Sequence, residues 1–228
     1  MYKILMLSAA ALLCASCIHV NSNFKGGKNA LKGAGPIITK NFDFQDFHSV
    51  CVYGNADVVF TQADTWEVTL TTQENVLDKL DYKVEDGVLV IQAQDRMTIR
   101  AEEYDLTIKA PVLRRVEVNG AADFDIPSGF RSEEDLTVEV NGAGDLSFRG
   151  IACRNLKIQA NGAADIDAKE VDVQSVNVLI NGAGDVSLTG KAGEADLSVN
   201  GAGDIDARKL AVAGEVKKHT SGIAKIQL

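Results

Sequence analysis

The sequence predicts an all-β fold, a parallel β-helix with coils of about 20 residues, and three observations carry that expectation. Nearly the same eleven letters occur five times: VEVNGAADFDI from Val116, VEVNGAGDLSF from Val138, IQANGAADIDA from Ile158, VLINGAGDVSL from Val178 and LSVNGAGDIDA from Leu197. Their asparagines, Asn119, Asn141, Asn161, Asn181 and Asn200, follow one another at 22, 20, 20 and 19 residues, the spacing of a solenoid coil. The parity of apolar residues is the same in every copy. Val138 and Val140 before the turn share a face with Leu146 and Phe148 after it, so each copy reads strand, turn, strand. A further apolar pair, Val171 with Val173 or Leu210 with Val212, predicts a third short side per coil. Hairpins stacked as an antiparallel sandwich are the alternative, and the unchanged parity argues against them.

The elements follow in chain order. Lys3, a short apolar run from Ile4 to Leu13 and small residues before Cys17 read as a bacterial signal peptide over residues 1–16. The run is too short to cross a bilayer. Its end resembles a lipobox, which makes Cys17 the lipidated N-terminus of the mature chain and the membrane a partner through that anchor. Ile18 to Pro36 is rich in Gly, Asn and Lys and has no acidic residue, so residues 17–36 are expected to form a flexible tether. A coil of that length holds a domain on the order of 25 Å from the lipid.

From Ile37 to Leu228 the chain is read as one β-helical domain. Short alternating runs open it: Val50 and Val52, Val58 and Phe60, Val68 and Leu70, Leu89 and Ile91, Leu106 and Ile108. Val88 to Ile91 is apolar throughout and is expected to be buried on both faces. Glu74 to Leu80 is the one expected helical segment. Degenerate copies of the turn occur at Tyr53–Asp57 and at Ser221–Lys225.

Within the turn, Gly120, Gly142, Gly162, Gly182 and Gly201 hold one position, as do Gly54 and Gly222 in the degenerate copies. That position requires φ > 0 or a close backbone approach. Two residues on stands Ala122, Gly144, Ala164, Gly184 or Gly203, so a Cβ is expected to be tolerated there. The asparagines are read as a structural ladder, each able to bond its own turn and the rungs above and below. The aspartates are the surplus feature: Asp123, Asp145, Asp165, Asp185 and Asp204, with Asp57, stack as like charges, which repel by roughly 1 kcal/mol per neighbour even in water. Their carboxylates are expected either to accept backbone N–H groups of their own turn or to share a cation. The next polar column, Asp125, Ser147, Asp167, Ser187 and Asp206, alternates charge with neutrality and points to a solvated surface.

Charge and composition narrow the function. With 23 Lys and Arg against 32 Asp and Glu, the chain carries a formal net charge of -9, which repels nucleic-acid phosphates and makes a nucleic-acid partner unexpected. Gly-x-Gly-Asp resembles the nonapeptide of calcium-binding β-rolls, yet the period and the Gly-to-Asp spacing differ, so calcium is a weighed alternative and no metal or other cofactor is expected. Catalysis is not expected either. Asp123 with Asp125, or Asp165 with Asp167, has the composition of a polysaccharide-cleaving pair, but the pairs recur along the chain, whereas an active site is a single irregular place. His19, His48 and His219 sit in no nucleophile motif. Cys51 and Cys153 fall on different coils and are read as two buried thiols rather than a disulfide.

The opening Phe42-Asp-Phe-Gln-Asp-Phe47 before HSVCVYGNADVVFTQ, then ENVLDKLDYKVEDGVLVI, then the repeated NGAGD turns resemble the auto-transporter adhesin head GIN domain family, found in exported proteins of Bacteroides-type bacteria. The resemblance spans Ile37 to Leu228 and implies a right-handed β-helix and an adhesin. The expected function is a non-catalytic lipoprotein of the outer membrane that displays an acidic adhesive or scaffolding surface. The competing expectation is a periplasm-facing module that binds a glycan or an envelope protein. The final strand, Lys225–Leu228, leaves an edge that Lys217, Lys218 and Lys225 protect by charge or that pairs between copies of the chain.

Overall fold

The computed structural model describes residues 30–228; the signal peptide, Cys17 and most of the expected tether lie outside them. Residues 30–34, which the sequence places in the tether, are tied to the domain. Ala30–Lys32 pairs in parallel with Thr98–Arg100, Gly33 donates its N–H to the Arg100 carbonyl at 2.8 Å, and Ala34 donates to Asn75 Oδ1 at 2.7 Å.

The repeats form a three-sided parallel β-solenoid. On the first side lie Ser49–Gly54, Arg115–Gly120 and Leu136–Gly142, followed by residues 155–162, 175–182 and 195–201 and by Val216–Gly222, each in register with the next. After the turn, Asp57–Gln62, Asp123–Ile126 and Asp145–Arg149 begin the second side, which continues through residues 165–169, 186–188, 204–206 and Lys225–Gln227. The third side is short, with Phe130–Arg131 beside residues 151–152 and residues 171–173 beside 190–192 and 210–212. Three strands run around a corner without a break: Ile151–Gly162, Asp165–Gly182 and Val186–Gly201.

Alternation explains the core. Val116, Val118, Phe124 and Ile126 are fully buried, and the same positions hold Val138, Val140, Leu146 and Phe148 one coil on. Each such apolar side chain contributes roughly 1.5–3 kcal/mol by leaving water. The third side adds Val171, Val173 and Leu210. Its first rung begins on a side chain: Gln62 Nε2 donates to the Arg131 carbonyl at 2.8 Å, and Gln62 Oε1 accepts the Arg131 N–H at 2.9 Å. An amide side chain thus takes the place of a neighbouring strand.

The N-terminal third departs from the parallel expectation. Ile37–Phe42 runs antiparallel to Glu67–Gln73, which runs antiparallel to Tyr104–Ala110, and Leu80–Glu85 folds back on Val88–Ala93. Only Leu80–Glu85 and Val88–Ala93 are joined by a tight turn, at Asp86 and Gly87; the other antiparallel partners meet across longer stretches of chain that hold further strands. Val88 and Val90 are only half-buried, while Leu89 and Ile91 are buried, so that strand has one core face. The helix spans Glu74–Leu77, and a 3-10 turn that the pattern did not announce lies at Gln94–Arg96. Cys51 and Cys153 are both buried and are not joined in a disulfide.

Candidate functional site

The turn between the first and second sides brings the repeated residues into three parallel columns. In the glycine column φ runs from 110° at Gly222 to 154° at Gly142, a region that L residues avoid. Contact adds a second reason: a Cβ on Gly142 would overlap the Gly120 carbonyl, and the coils could not stack. The tolerance expected two residues further on is corrected by the same test. Ala122 and Ala164 are accommodated and buried, yet a Cβ on Gly144 would overlap the Ala122 carbonyl, and Gly184 and Gly203 meet the preceding coil in the same way. An alanine therefore fits that column only where the coil below leaves room.

The asparagine column is hydrogen-bonded side chain to side chain. Asn141 donates to Asn119 at 3.1 Å, Asn161 to Asn141 at 3.0 Å, Asn181 to Asn161 at 2.9 Å and Asn200 to Asn181 at 3.0 Å. At its first rung Asn119 also donates to Glu117 Oε1 at 2.9 Å. Glu117 is buried and ion-paired with Arg115, which reaches Glu139 as well at 2.7 Å.

The aspartate column lies on the outer surface. Asp123 Oδ1 accepts the backbone N–H of Asp145 at 3.0 Å, Asp165 that of Asp185 at 3.2 Å, Asp185 that of Asp204 at 2.8 Å and Asp204 that of Lys225 at 2.8 Å. The bonds run to the next coil rather than within the turn, because the parallel register sets these four carboxylates under the following N–H. A charge-assisted bond of this kind offsets part of the stacking repulsion. One further member was missed in the sequence. Asp105 is in register with Asp57, and Asp57 with Asp123, so the column begins one strand earlier. Asp105-Leu-Thr-Ile matches the Asp145-Leu-Ser-Phe pattern after the turn and was readable on that basis, although no NG precedes it.

Electrostatics vary along the column. Burial, then Asp123, Asp105 and Asp125, raise Asp57 above the ordinary carboxylate range; burial and Asp123 raise Asp125. At the other end Asp206 is held down at about 2 by the Arg208 guanidinium beside it. Lys169 forms an ion pair with Asp167.

Together the columns line a shallow groove of about 560 Å³ along the second side. Asp123, Asp145, Asp165, Asp185 and Asp204 form one edge of its floor and Asp125, Asp167 and Asp206 the other, with Ser147 and Ser187 between. All five aspartates singled out from the sequence are thus brought to one surface. The five asparagines and five glycines lie beside it in the wall that joins coil to coil. Among the described residues, no group of three or more His, Cys, Asp and Glu is disposed to hold a metal ion.

Residues 46–228 match the family model described as "Putative auto-transporter adhesin, head GIN domain". The chain belongs to this family. Three solved structures share the fold. A "putative adhesin" of Parabacteroides distasonis aligns with TM-score 0.75 and 22% identity over 87% of this chain and 84% of its own. A "putative lipid binding protein" of the same species aligns with TM-score 0.74 and 18% identity over 88% and 100%. A "putative adhesin" of Bacteroides fragilis aligns with TM-score 0.68 and 16% identity over 86% and 99%. No curated protein matches the chain. The family description is that of an adhesin, and with it goes an extracellular or envelope-associated setting.

Proposed function

We propose that the chain is a non-catalytic envelope lipoprotein, anchored through Cys17, that presents the acidic groove of its solenoid as an adhesive surface for amine-bearing glycans or envelope proteins. The observation that carries this reading is the aspartate column. A neutral Asn would accept the same inter-coil N–H without stacking like charges, so the charge of the carboxylates along the groove is explained by recognition of cationic groups from outside. The recurrence of the same carboxylate pair on several coils supports binding over catalysis, since a long ligand meets equal contacts on every rung. The acidic tether-borne domain is repelled by an anionic lipid surface, which favours presentation away from it.

The reading is tested by Asp145→Asn, Asp165→Asn and Asp185→Asn in one protein. At positions 165 and 185 Asn Oδ1 still accepts the N–H of the next coil, so the substitutions remove charge and keep those bonds. The melting temperature is expected to hold or rise. Binding to beads coated with chitosan oligosaccharide, or with a lysine-rich peptide, is expected to fall at least tenfold on one of the two. Undiminished binding on both would refute the groove as the recognition surface.

A further inference from the structure

The last coil is finished differently from those before it. Val216–Gly222 pairs with residues 195–201 along one edge, and Lys225–Gln227 with residues 204–206; among the described residues nothing pairs with the opposite edge of either. All seven residues of Val216–Gly222 are exposed, and Ile223 is 88% exposed. The register sets Lys218 on Leu197 and Thr220 on Val199. Those two columns hold Val116 with Val118, Val138 with Val140 and Val178 with Ile180 in earlier coils, all buried. A charge thus replaces an aliphatic side chain on the core-facing side of an open strand, with Lys217 and Lys225 on the same coil.

An inward charge on an edge strand suppresses indiscriminate strand pairing, because any neutral partner would bury an unpaired ammonium. It also defines the partner that is accepted. We propose that this open edge takes up, by strand addition, an extended acidic segment of another protein, with an Asp or Glu set against Lys218. Bonds to the backbone groups that Val216–Gly222 turns to its open edge supply the affinity, and the ion pair supplies the selection.

A second copy of the chain does not meet that requirement. Its own open edge brings Lys217, Lys218 and Lys225 against the same three. Its strands with an unpaired edge at the other end, Ile37–Phe42 and Leu80–Glu85, turn Ile38, Lys40 and Phe42, or Leu80, Tyr82 and Val84, to the core side. Neither offers a carboxylate there.

The experiment uses the mature chain and two synthetic heptapeptides, one alternating Val with Glu and the other Val with Lys. Fluorescence anisotropy is expected to show the Glu peptide binding at least tenfold more tightly, with hydrogen exchange slowed in residues 216–222 and affinity falling with salt. Lys218→Glu is expected to invert the preference between the peptides without loss of the folded core. Equal binding of both peptides, no binding of either, protection outside the last coil, or association of the unmodified chain with itself through this edge would each overturn the proposal.

Discussion

At the N-terminal end of the solenoid the core is covered by antiparallel strands and aromatic rings, while at the other end it meets solvent through one coil whose core-facing positions include Lys218 and Thr220. Phe42 and Tyr82 pack at 4.3 Å between ring centres, Phe44 stacks on Phe42 at 5.4 Å, and Lys40 lies over both Phe42 and Tyr82 at 5.0 and 5.2 Å while donating to the Tyr82 hydroxyl at 3.0 Å. Trp66 closes the side of this end by donating to the Phe47 carbonyl at 2.9 Å. In a solenoid each coil is stabilised by its neighbours, so a coil with one neighbour is the first to open. The sealed end fixes where the stack begins, and the open end is the place where another strand can be added.

The largest effect that sharpens this contrast comes from cavities placed near each end. Phe60 is fully buried on the first coil, edge-to-face with Phe130, and Phe60→Ala is expected to cost about 3–5 kcal/mol in urea unfolding. Ile226 sits half-buried on the last coil, and Ile226→Ala is expected to cost about 1 kcal/mol. Equal losses at the two positions would show that the coils unfold as one block with no weak end.

A smaller effect comes from charge at the sealed end. Asp57 has its pKa raised by burial and by Asp123, Asp105 and Asp125, so its ionised form opposes the fold. The stability it lends is present below the unfolded pKa of about 3.9 and is lost as pH rises through the folded value. Asp57→Asn is therefore expected to raise the melting temperature at pH 7 by no more than about 2–4 °C and to change nothing at pH 3. Asp206, held at about 2 by Arg208, has the opposite sign: its contribution is present above the unfolded pKa and is lost only as pH falls toward 2. A melting-temperature gain at pH 3 in the Asp57 variant would contradict this assignment.

The repeats were legible because each obeys the same two local rules, alternation of apolar residues and a glycine at the turn, and both rules act within a dozen residues. That is why the register of Asn119 through Asn200 and of Asp123 through Asp204 follows from the letters alone. The N-terminal third was not legible in the same way. Val68 and Leu70 alternate as a parallel strand would, and nothing in the alternation tells that the partners, Ile37–Phe42 and Tyr104–Ala110, run the other way. The constraint on Gly144 was hidden because it depends on where the Ala122 carbonyl of another coil lies, which no single repeat encodes. The carboxylate bonds were half legible: backbone N–H acceptors were expected, but the coil that supplies them is set by stacking.

The central claim, that the acidic solenoid is displayed as an adhesive surface, is tested most directly by its exposure on living cells. A tag placed after Leu228 is followed by protease or tag antibody on intact cells, beside a lysed control. Loss of the tag, or its labelling, in intact cells is the result this account predicts. Protection until lysis would contradict adhesion and leave a periplasm-facing binding module in its place.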